Sequence, residues 1–349
     1  MRTLRPLDAP IDPVTALTRI AWLLERGRQS TYRVEAFRRA AAAAAAVGPD
    51  ELAERAAAKT LGSLRGIGAT TATVITEAVA GRIPAYLSDL QDSAPASIAD
   101  GGDRLYAALR GDLHSHTDWS DGGAPIDEMV DAAVAFGHSW LAITDHSPRL
   151  TVANGLSAER LDRQIREIAD VDAQHEGGIR VLAGIEVDIL DDGSLDQSDE
   201  MLARLDIVTA SVHSKLAMDA APMTRRMVAA ARDPRVNVLG HCTGRRVSSG
   251  SGAREQSTFD AREVFSACAD SATAVEINSR PERVDPPDDL IAIALEVGCL
   301  FAIDSDAHAP GQLGFTALGA ERAERLGIPD DRIVTTWPVD ALLDWVRGD

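Results

Sequence analysis

The segment Trp140-Leu-Ala-Ile-Thr-Asp145-His146 is a short apolar run that ends in an aspartate and a histidine. Short apolar runs that alternate with helical stretches are typical of the parallel strands of an α/β barrel. Because the carboxyl ends of such strands meet on one rim, their polar residues are expected to converge. The other runs of this kind are Gly111-Asp-Leu-His114-Ser-His116, Val181-Leu-Ala-Gly-Ile-Glu186, Ile207-Val-Thr-Ala-Ser-Val-His213, Val236-Asn-Val-Leu-Gly-His241 and Leu300-Phe-Ala-Ile-Asp-Ser-Asp306-Ala-His308.

A further run, 274–278, brings the predicted strands to seven. Helical patterns fill the gaps between the runs, for example around residues 158–175 and 261–269. We therefore predict an α/β fold for this part of the chain, a distorted seven-stranded (βα)7 barrel of the TIM type.

Six of the eight histidines close these runs, together with two carboxylates. Imidazoles and carboxylates that converge on one rim are the ligands of a transition-metal site. The alternative is that each histidine is merely a polar residue at the end of a strand. Six histidines and two carboxylates at equivalent strand ends argue against that alternative.

The charge of the chain is unevenly distributed. The formal net charge is −19, yet residues 1–90 carry 12 basic and 9 acidic side chains, a net +3, whereas the remainder carries −22. An acidic catalytic region weakens a nucleic-acid assignment without excluding it, because bound divalent ions dominate the local potential. Three scattered cysteines and no apolar run of 18 residues indicate a reduced, cytoplasmic location and no membrane span.

The first ninety residues have a helical pattern that contains Leu64-Arg-Gly66-Ile67-Gly68-Ala-Thr-Thr-Ala72-Thr-Val-Ile75. The two glycines predict a tight turn, and the amides at the start of the following helix are suited to a phosphate. This stretch matches the helix-hairpin-helix DNA-binding motif, and a plain turn between two helices is the alternative. The candidate DNA-binding residues are Gly66, Gly68, Arg33, Arg38 and Arg39.

Residues 105–349 resemble the PHP (polymerase and histidinol phosphatase) superfamily, most closely the C-terminal domain of bacterial family X DNA polymerases. The resemblance is carried by the histidine-ending runs above, by Ser120-Asp121-Gly, and by Glu276-Ile-Asn278-Ser-Arg-Pro-Glu-Arg283. Residues 1–90 resemble the small N-terminal helix-hairpin-helix domain of the same polymerases, and residues 91–104 are predicted to be a linker. In those polymerases a nucleotidyltransferase region separates the two domains.

The resemblance implies three divalent metal ions, with Mn²⁺ expected first and Zn²⁺ or Fe²⁺ as alternatives. One ion would take His114, His116, Glu186 and Asp306, the second Glu186, His213 and His241, and the third Asp121, His146 and His308. A hydroxide that bridges the first two ions would attack phosphorus. The catalytic residues would be Glu186, Asp306, His213 and Arg245, and the substrate's phosphate oxygens would meet Arg245, Arg280, Arg283 and Lys215.

Two departures from the polymerases limit the expected activity. Only about 24 positions separate the hairpin region from the first metal motif, too few for a nucleotidyltransferase domain, since domains have at least about 50 residues. The resemblance also places Val74 where the family has its lyase lysine, and Lys59 is the single lysine of residues 1–90. We therefore expect neither polymerase nor deoxyribose-phosphate lyase activity, and no nucleotide cofactor.

The predicted function is a metal-dependent phosphoesterase of DNA repair: a 3′–5′ exonuclease, or an enzyme that processes 3′ ends or abasic sites. Its predicted partner is DNA, bound at ends or gaps without sequence preference. One alternative is a phosphatase of histidinol phosphate or another small molecule, which would not need a DNA-binding domain. A non-catalytic DNA-binding scaffold is the alternative from another class, and the intact set of ligands argues against it.

Overall fold

The computed structural model of the protein describes residues 7–93, 98–247 and 252–348. Two compact units are present, one formed by Thr3–Ala96 with Pro310–Gln312, the other by Ser97–Ala309 with Leu313–Asp349. None of the described helices combines the length and apolarity needed to cross a membrane.

The N-terminal unit is helical. Its first helix, α1, begins after Asp12, whose Oδ1 accepts a hydrogen bond from the Thr15 amide (3.0 Å). The buried side chains of Ala40 and Ala44 on α2 let that helix pack closely, because alanine fills little volume. The helices are α1 (Pro13–Arg26), α2 (Thr31–Val47), α3 (Pro49–Ala57), α4 (Ala69–Val79) and α5 (Ala85–Ser93), with a 3₁₀ turn at Leu61–Ser63.

Gly66 and Gly68 lie in the connection between α3 and α4. Gly66 has φ +96°, and a Cβ there would lie 3.2 Å from the Arg39 carbonyl oxygen, so the position requires glycine. Gly68 is the N-cap of α4, and its amide donates to Thr71 Oγ1 (2.9 Å). Ile75 is fully buried on the inner face of α4.

The C-terminal unit is built on one parallel sheet. Every strand pairs with the next in chain order, which is the arrangement of successive βα units. The strands are β1 (Trp140–Ile143), β2 (Arg180–Asp188), β3 (Ile207–Ser211), β4 (Val238–Leu239), β5 (Ala274–Asn278) and β6 (Phe301–Asp304).

Helices lie between successive strands of this unit, as predicted, and further helices precede β1 and follow β6. They are α6 (Asp103–Ala108), α7 (Ile126–Ala135), α8 (Ala158–Gln174), α9 (Asp199–Leu202), α10 (Ala220–Ala231), α11 (Ala261–Asp270), α12 (Asp288–Val297), α13 (Thr316–Arg325) and α14 (Val339–Arg347). At the predicted linker, α5 continues to Ser93, and α6 contributes Leu105 and Tyr106 to the core of the C-terminal unit.

Alternate side chains of each strand form two different layers. One layer packs against the helices, and the other forms an inner core near the amino ends of the strands. The inner core consists of Leu113, Trp140, Ala142, Leu182, Ile207, Val238, Ala274, Ala302, Val334 and Leu342. Two positions further along β5 and β6, the same row continues with Glu276 and Asp304, so the inner face becomes polar towards the carboxyl ends.

The segment 110–116, which contains the run 111–116 predicted to be the first strand, is not a strand in the structure. It runs beside β1, where the Ala142 amide donates to the Asp112 carbonyl (3.0 Å) and the Thr144 amide to the Ser115 carbonyl (2.8 Å). On its other side, Ser115 forms a single isolated bridge with Ala307. The described residues therefore contain six strands where the sequence predicts seven.

The segment is irregular because two of its backbone amides donate to carboxylate side chains. The Leu113 amide donates to Asp304 Oδ1 (2.8 Å), and the His114 amide donates to Asp112 Oδ1 (3.0 Å). A regular strand would donate these amides to the backbone of a neighbour. The acidic side chains take them instead, and this fixes the backbone that carries the first two histidines.

We expect Gly111→Ala to destabilise the C-terminal unit, because a Cβ there would overlap the ring and carbonyl oxygen of Trp140. Overpacking of this kind costs about 1–3 kcal/mol in the free energy of unfolding. Urea unfolding followed by circular dichroism measures the loss. Gly62→Ala is the control, since a Cβ there meets nothing within 4 Å. Equal unfolding curves for the two variants would contradict the close packing of residue 111 against Trp140.

Candidate metal centre

The nine predicted metal ligands come together at the carboxyl ends of the strands. Glu186 lies in β2, whereas His146 and Asp306 follow β1 and β6 by two or three residues. The six histidine rings form one continuous cluster, in which neighbouring ring centroids lie 4.2 to 6.2 Å apart. Asp121, from the loop after the 110–116 segment, joins this cluster, because its Oδ1 lies 3.4 Å from both His146 Nε2 and His308 Nε2.

The carboxylate of Glu186 is the centre of the cluster and is 1 % exposed. Its Oε1 lies 3.2 Å from His213 Nε2 and 2.8 Å from His241 Nε2. Its Oε2 lies 3.4 Å from His114 Nε2 and 2.7 Å from His146 Nδ1. Each oxygen therefore faces its own set of imidazoles, as a carboxylate shared between two ions would.

The ligand atoms fall into three groups, and within each group they lie within 4.8 Å of one another. The groups are His116, Asp121, His146 and His308; His114, His116 and Glu186; and His146, Glu186 and His213. The group around Asp121 contains all three ligands that the resemblance implies for the third ion (Asp121, His146 and His308), and His116 in addition. The second contains three of the four residues of the first set, and the fourth, Asp306, has its Oδ1 3.5 Å from His116 Nε2. The remaining set is brought together around Glu186 Oε1.

The donor atoms fit divalent ions. His114 Nε2 and both ring nitrogens of His116 and His213 are buried and make no hydrogen bond with any described residue. Buried nitrogens without partners are costly unless a ligand satisfies them. Imidazole and carboxylate donors without thiolates suit Mn²⁺, Zn²⁺ or Fe²⁺. Cys242, next to His241, is buried, and burial raises the pKa of its thiol well above the usual value.

The carboxylates and imidazoles of the cluster shift one another's pKa. Burial raises the pKa of the Glu186 carboxyl, but His213, His114 and His146 outweigh it and hold this pKa well below its usual range. Burial lowers the pKa of His146, yet the Glu186 and Asp121 carboxylates raise it to about 10. The carboxylates likewise raise the pKa of His114 and His213, whereas burial lowers the pKa of His116 and His241. Metal binding would release the protons that His146, His114 and His213 hold.

Glu276 is a site residue that the sequence-based prediction did not single out. Its side chain is fully buried, and its Oε1 lies 2.6 Å from His114 Nδ1. Its Oε2 accepts hydrogen bonds from the His241 amide and from Asn278 Nδ2. A carboxylate on one ring nitrogen fixes the tautomer and turns the other nitrogen towards a metal. In the sequence, the signal for this residue is its position two residues after Ala274, which places both side chains on the same face of β5.

Other buried carboxylates hold the backbone or the rings of the ligands. Asp188 Oδ1 accepts from the His213 amide (3.1 Å) and lies 3.5 Å from His213 Nδ1. Asp145 accepts from the side chains of Thr117 and Ser120 and so fixes the loop that leads to Asp121. These acids position ligands and are too enclosed to meet a substrate directly.

The basic residues predicted to bind phosphate have different surroundings. Arg283 Nε lies 2.7 Å from Asp306 Oδ2, and Arg280 Nη1 lies 2.7 Å from His308 Nδ1, so both contact predicted metal ligands. Arg245 donates its Nε to the Arg283 carbonyl (3.2 Å). Lys215 is 62 % exposed and pairs with Asp191.

A protein-family model described as PHP domain matches residues 112–279. The chain is 40 % identical over 200 residues to the DNA polymerase/3′-5′ exonuclease PolX of Bacillus subtilis (strain 168), a match that covers 57 % of this chain. The match covers 34 % of PolX, so this chain corresponds to about a third of that protein. The PHP-domain match confirms the resemblance drawn from the histidine-ending runs.

Two phosphatases are also similar. A probable phosphatase of Thermoanaerobacter sp. (strain X514) is 27 % identical over 241 residues, covering 64 % of this chain and 89 % of that protein. The structure of a histidinol phosphate phosphatase from Lactococcus lactis, solved with zinc, L-histidinol and phosphate, has a TM-score of 0.43 and 19 % identity, covering 62 % of this chain and 92 % of that one.

We expect Glu276→Gln to weaken metal binding, because the amide keeps the shape of the side chain but loses the charge that orients His114. Loss of such a partner raises the metal dissociation constant about 10- to 100-fold. Competition between the protein and a chromogenic chelator for Zn²⁺ measures this constant. The matched control is Glu296→Gln, whose exposed carboxylate pairs with Arg262. Identical affinities in both variants and the parent would show that Glu276 does not support the metal centre.

Proposed function

We propose that this protein is a metal-dependent phosphoesterase, because a PHP-domain model matches residues 112–279, and that its substrate is DNA. The proposed reaction is hydrolysis of phosphate esters at DNA ends, as a 3′–5′ exonuclease or in the processing of 3′ ends or abasic sites. The N-terminal unit would hold the DNA, and the C-terminal unit would hydrolyse the ester.

A cavity in the N-terminal unit carries the proposal. Its volume is about 640 Å³, and it lies beside the start of α4. The lining residues are Tyr32, Arg33, Ala36, Phe37, Arg39, Gly66, Ile67, Gly68, Ala69, Thr70, Thr71 and Tyr86. Four of the five predicted DNA-binding residues are among them. The fifth, Arg38, is instead paired with Glu25 (2.7 Å) and is 18 % exposed.

The chemistry of this cavity suits a DNA phosphate. Arg33 is held by Tyr86, whose hydroxyl lies 2.6 Å from its Nη2, and by Gln29 (2.9 Å). The N-terminus of α4 brings amides and the positive end of a helix dipole to the same cavity. Arg39 pairs with the exposed Glu35 (3.0 Å) and would have to exchange that partner for a phosphate. The two guanidinium groups and the helix N-terminus would attract a phosphate without reading a base, so binding would not depend on sequence.

In the C-terminal unit, we propose that three divalent ions bind, one to each of the three ligand sets that the resemblance implies. Mn²⁺ is expected first, with Zn²⁺ or Fe²⁺ as alternatives. Such ions, when bound, neutralise phosphoryl oxygens and lower the pKa of water. Glu276 orients the His114 ring, Asp188 holds the His213 amide, and Arg283 fixes Asp306. Arg245, held at the Arg283 carbonyl, is assigned to an oxygen of the substrate's phosphate. Lys215 would remain a surface residue until a substrate displaces Asp191.

Polymerase and lyase activities are not part of the proposal. The position that resembles the lyase lysine holds Val74, which is 1 % exposed in the core of the N-terminal unit. A Schiff base requires an accessible amine, and valine offers none.

A small-molecule phosphatase is the second candidate. It is favoured by the similarity to the probable phosphatase, which extends over 89 % of that protein. This candidate gives no role to the cavity of the N-terminal unit, and for that reason we place DNA first.

We expect the double substitution Arg33→Ala/Arg39→Ala to weaken DNA binding by about tenfold or more at moderate salt. Each lost phosphate contact also reduces the slope of log K against log salt by about one. Fluorescence anisotropy with labelled gapped DNA between about 50 and 200 mM salt measures both effects.

The control for this experiment is Arg55→Ala/Arg82→Ala, which removes the same charge from the same unit outside the cavity. If both double variants bind DNA alike, the cavity is not the DNA site. If the parent protein hydrolyses histidinol phosphate and binds no DNA, the small-molecule candidate replaces the proposal.

A further inference from the structure

A tryptophan on the loop that precedes Asp121 forms a cluster with two arginines of α8. The guanidinium carbon of Arg163 lies 5.6 Å from the centroid of the Trp119 ring, and that of Arg160 lies 6.0 Å from it. These distances are typical of cation–π contacts. We call Trp119, Arg160 and Arg163 the Trp119 cluster.

The Trp119 cluster is tied to the metal centre by its backbone and by α8. Arg160 and Asn154 Nδ2 both donate to the carbonyl oxygen of Trp119, which holds the loop in place. Gln164, the next residue after Arg163, donates to Asp145 Oδ2 (2.5 Å), and Asp145 directly precedes the ligand His146. The cluster therefore stands two residues from one ligand, Asp121, and one hydrogen bond from the neighbour of another.

The charges of the cluster are not neutralised within the protein. Among the described residues, neither Arg160 nor Arg163 has a carboxylate oxygen within 4 Å of its guanidinium nitrogens. Arg160 is bonded to carbonyl oxygens and to the amide oxygen of Asn154. Arg166, on the same helix, is by contrast paired with Asp162. Two unpaired cations beside a metal centre, in a part of the chain that carries −22, indicate an anionic partner.

We propose that the Trp119 cluster binds the nucleotide adjacent to the scissile phosphate, with the base against Trp119 and its own phosphate at Arg163. This inference rests on the DNA substrate proposed above and extends it by naming a second contact of the strand. An indole beside guanidinium groups is the combination that holds single-stranded nucleic acid, because every base offers a π-face and every linkage a negative charge. Trp119 is only partly buried against the core, and a lone phosphate monoester has no base to place against its indole.

The proposal makes the cluster a determinant of substrate size. An oligonucleotide would contact both the metal centre and the cluster, whereas bis(p-nitrophenyl) phosphate would reach only the metal centre. Removal of a base-stacking aromatic costs about tenfold or more in binding. Changes in the cluster should therefore lower the ratio of oligonucleotide to small-ester activity, measured as kcat/KM.

The experiment measures this ratio in Mn²⁺ for the full chain and for Trp119→Phe, Trp119→Leu, Arg163→Gln and Arg166→Gln. We expect the ratio to fall about tenfold in Trp119→Leu and several-fold in Arg163→Gln, since stacking and a charge are lost. Trp119→Phe keeps an aromatic ring and should retain most of the ratio. Arg166→Gln removes the same charge three residues away and is the matched control.

The outcomes separate this inference from the proposed function. If the parent cleaves the oligonucleotide and all variants keep its ratio, the cluster is not a nucleotide site. If Trp119→Leu loses both activities equally and Trp119→Phe does not restore them, Trp119 only supports the loop, and the inference is wrong. If the parent hydrolyses the small ester but no oligonucleotide, the DNA substrate falls, and this inference falls with it.

Discussion

The rest of the structure depends on a carboxylate buried among imidazoles. Glu186 is enclosed at the carboxyl ends of the strands, with five histidine rings around its two oxygens. A buried carboxylate is strongly destabilising unless it is compensated by opposite charge and hydrogen bonds. Protonated histidines supply part of that charge in the protein alone, and divalent ions would supply it more completely. The histidines in turn need fixed orientations, and further buried acids such as Glu276 and Asp188 contact them from the side away from Glu186 or hold their backbone.

Two of these buried acids explain why the predicted first strand is irregular. Asp304 and Asp112 take amides of the 110–116 segment that a neighbouring strand would otherwise accept. Burial raises the pKa of Asp112 to about 7, with hydrogen bonds from Ser305 and the His114 amide opposing that effect. The loss of a regular strand and the placement of His114 and His116 thus have the same origin.

Much of this could be predicted from sequence, because apolar runs that end in histidine or carboxylate mark both a strand and its functional end. The missing strand could not, since the pattern of residues 111–116 does not reveal that its amides bond to side chains. Glu276 was also missed: a glutamate inside an apolar run gives no sign of its partner, His114, 162 residues away in the chain. Arg38 matched the pattern of a DNA contact, and only the structure reveals its partner Glu25.

The metal content of the purified chain tests the account most directly. Elemental analysis after loading with Mn²⁺ and gel filtration should find two to three ions per chain in the parent. In Glu186→Ala it should find at most one, with hydrolysis of bis(p-nitrophenyl) phosphate abolished, because Glu186 faces two groups of ligands at once. Full hydrolysis by a metal-stripped sample, or unchanged metal content and activity in Glu186→Ala, would contradict the account.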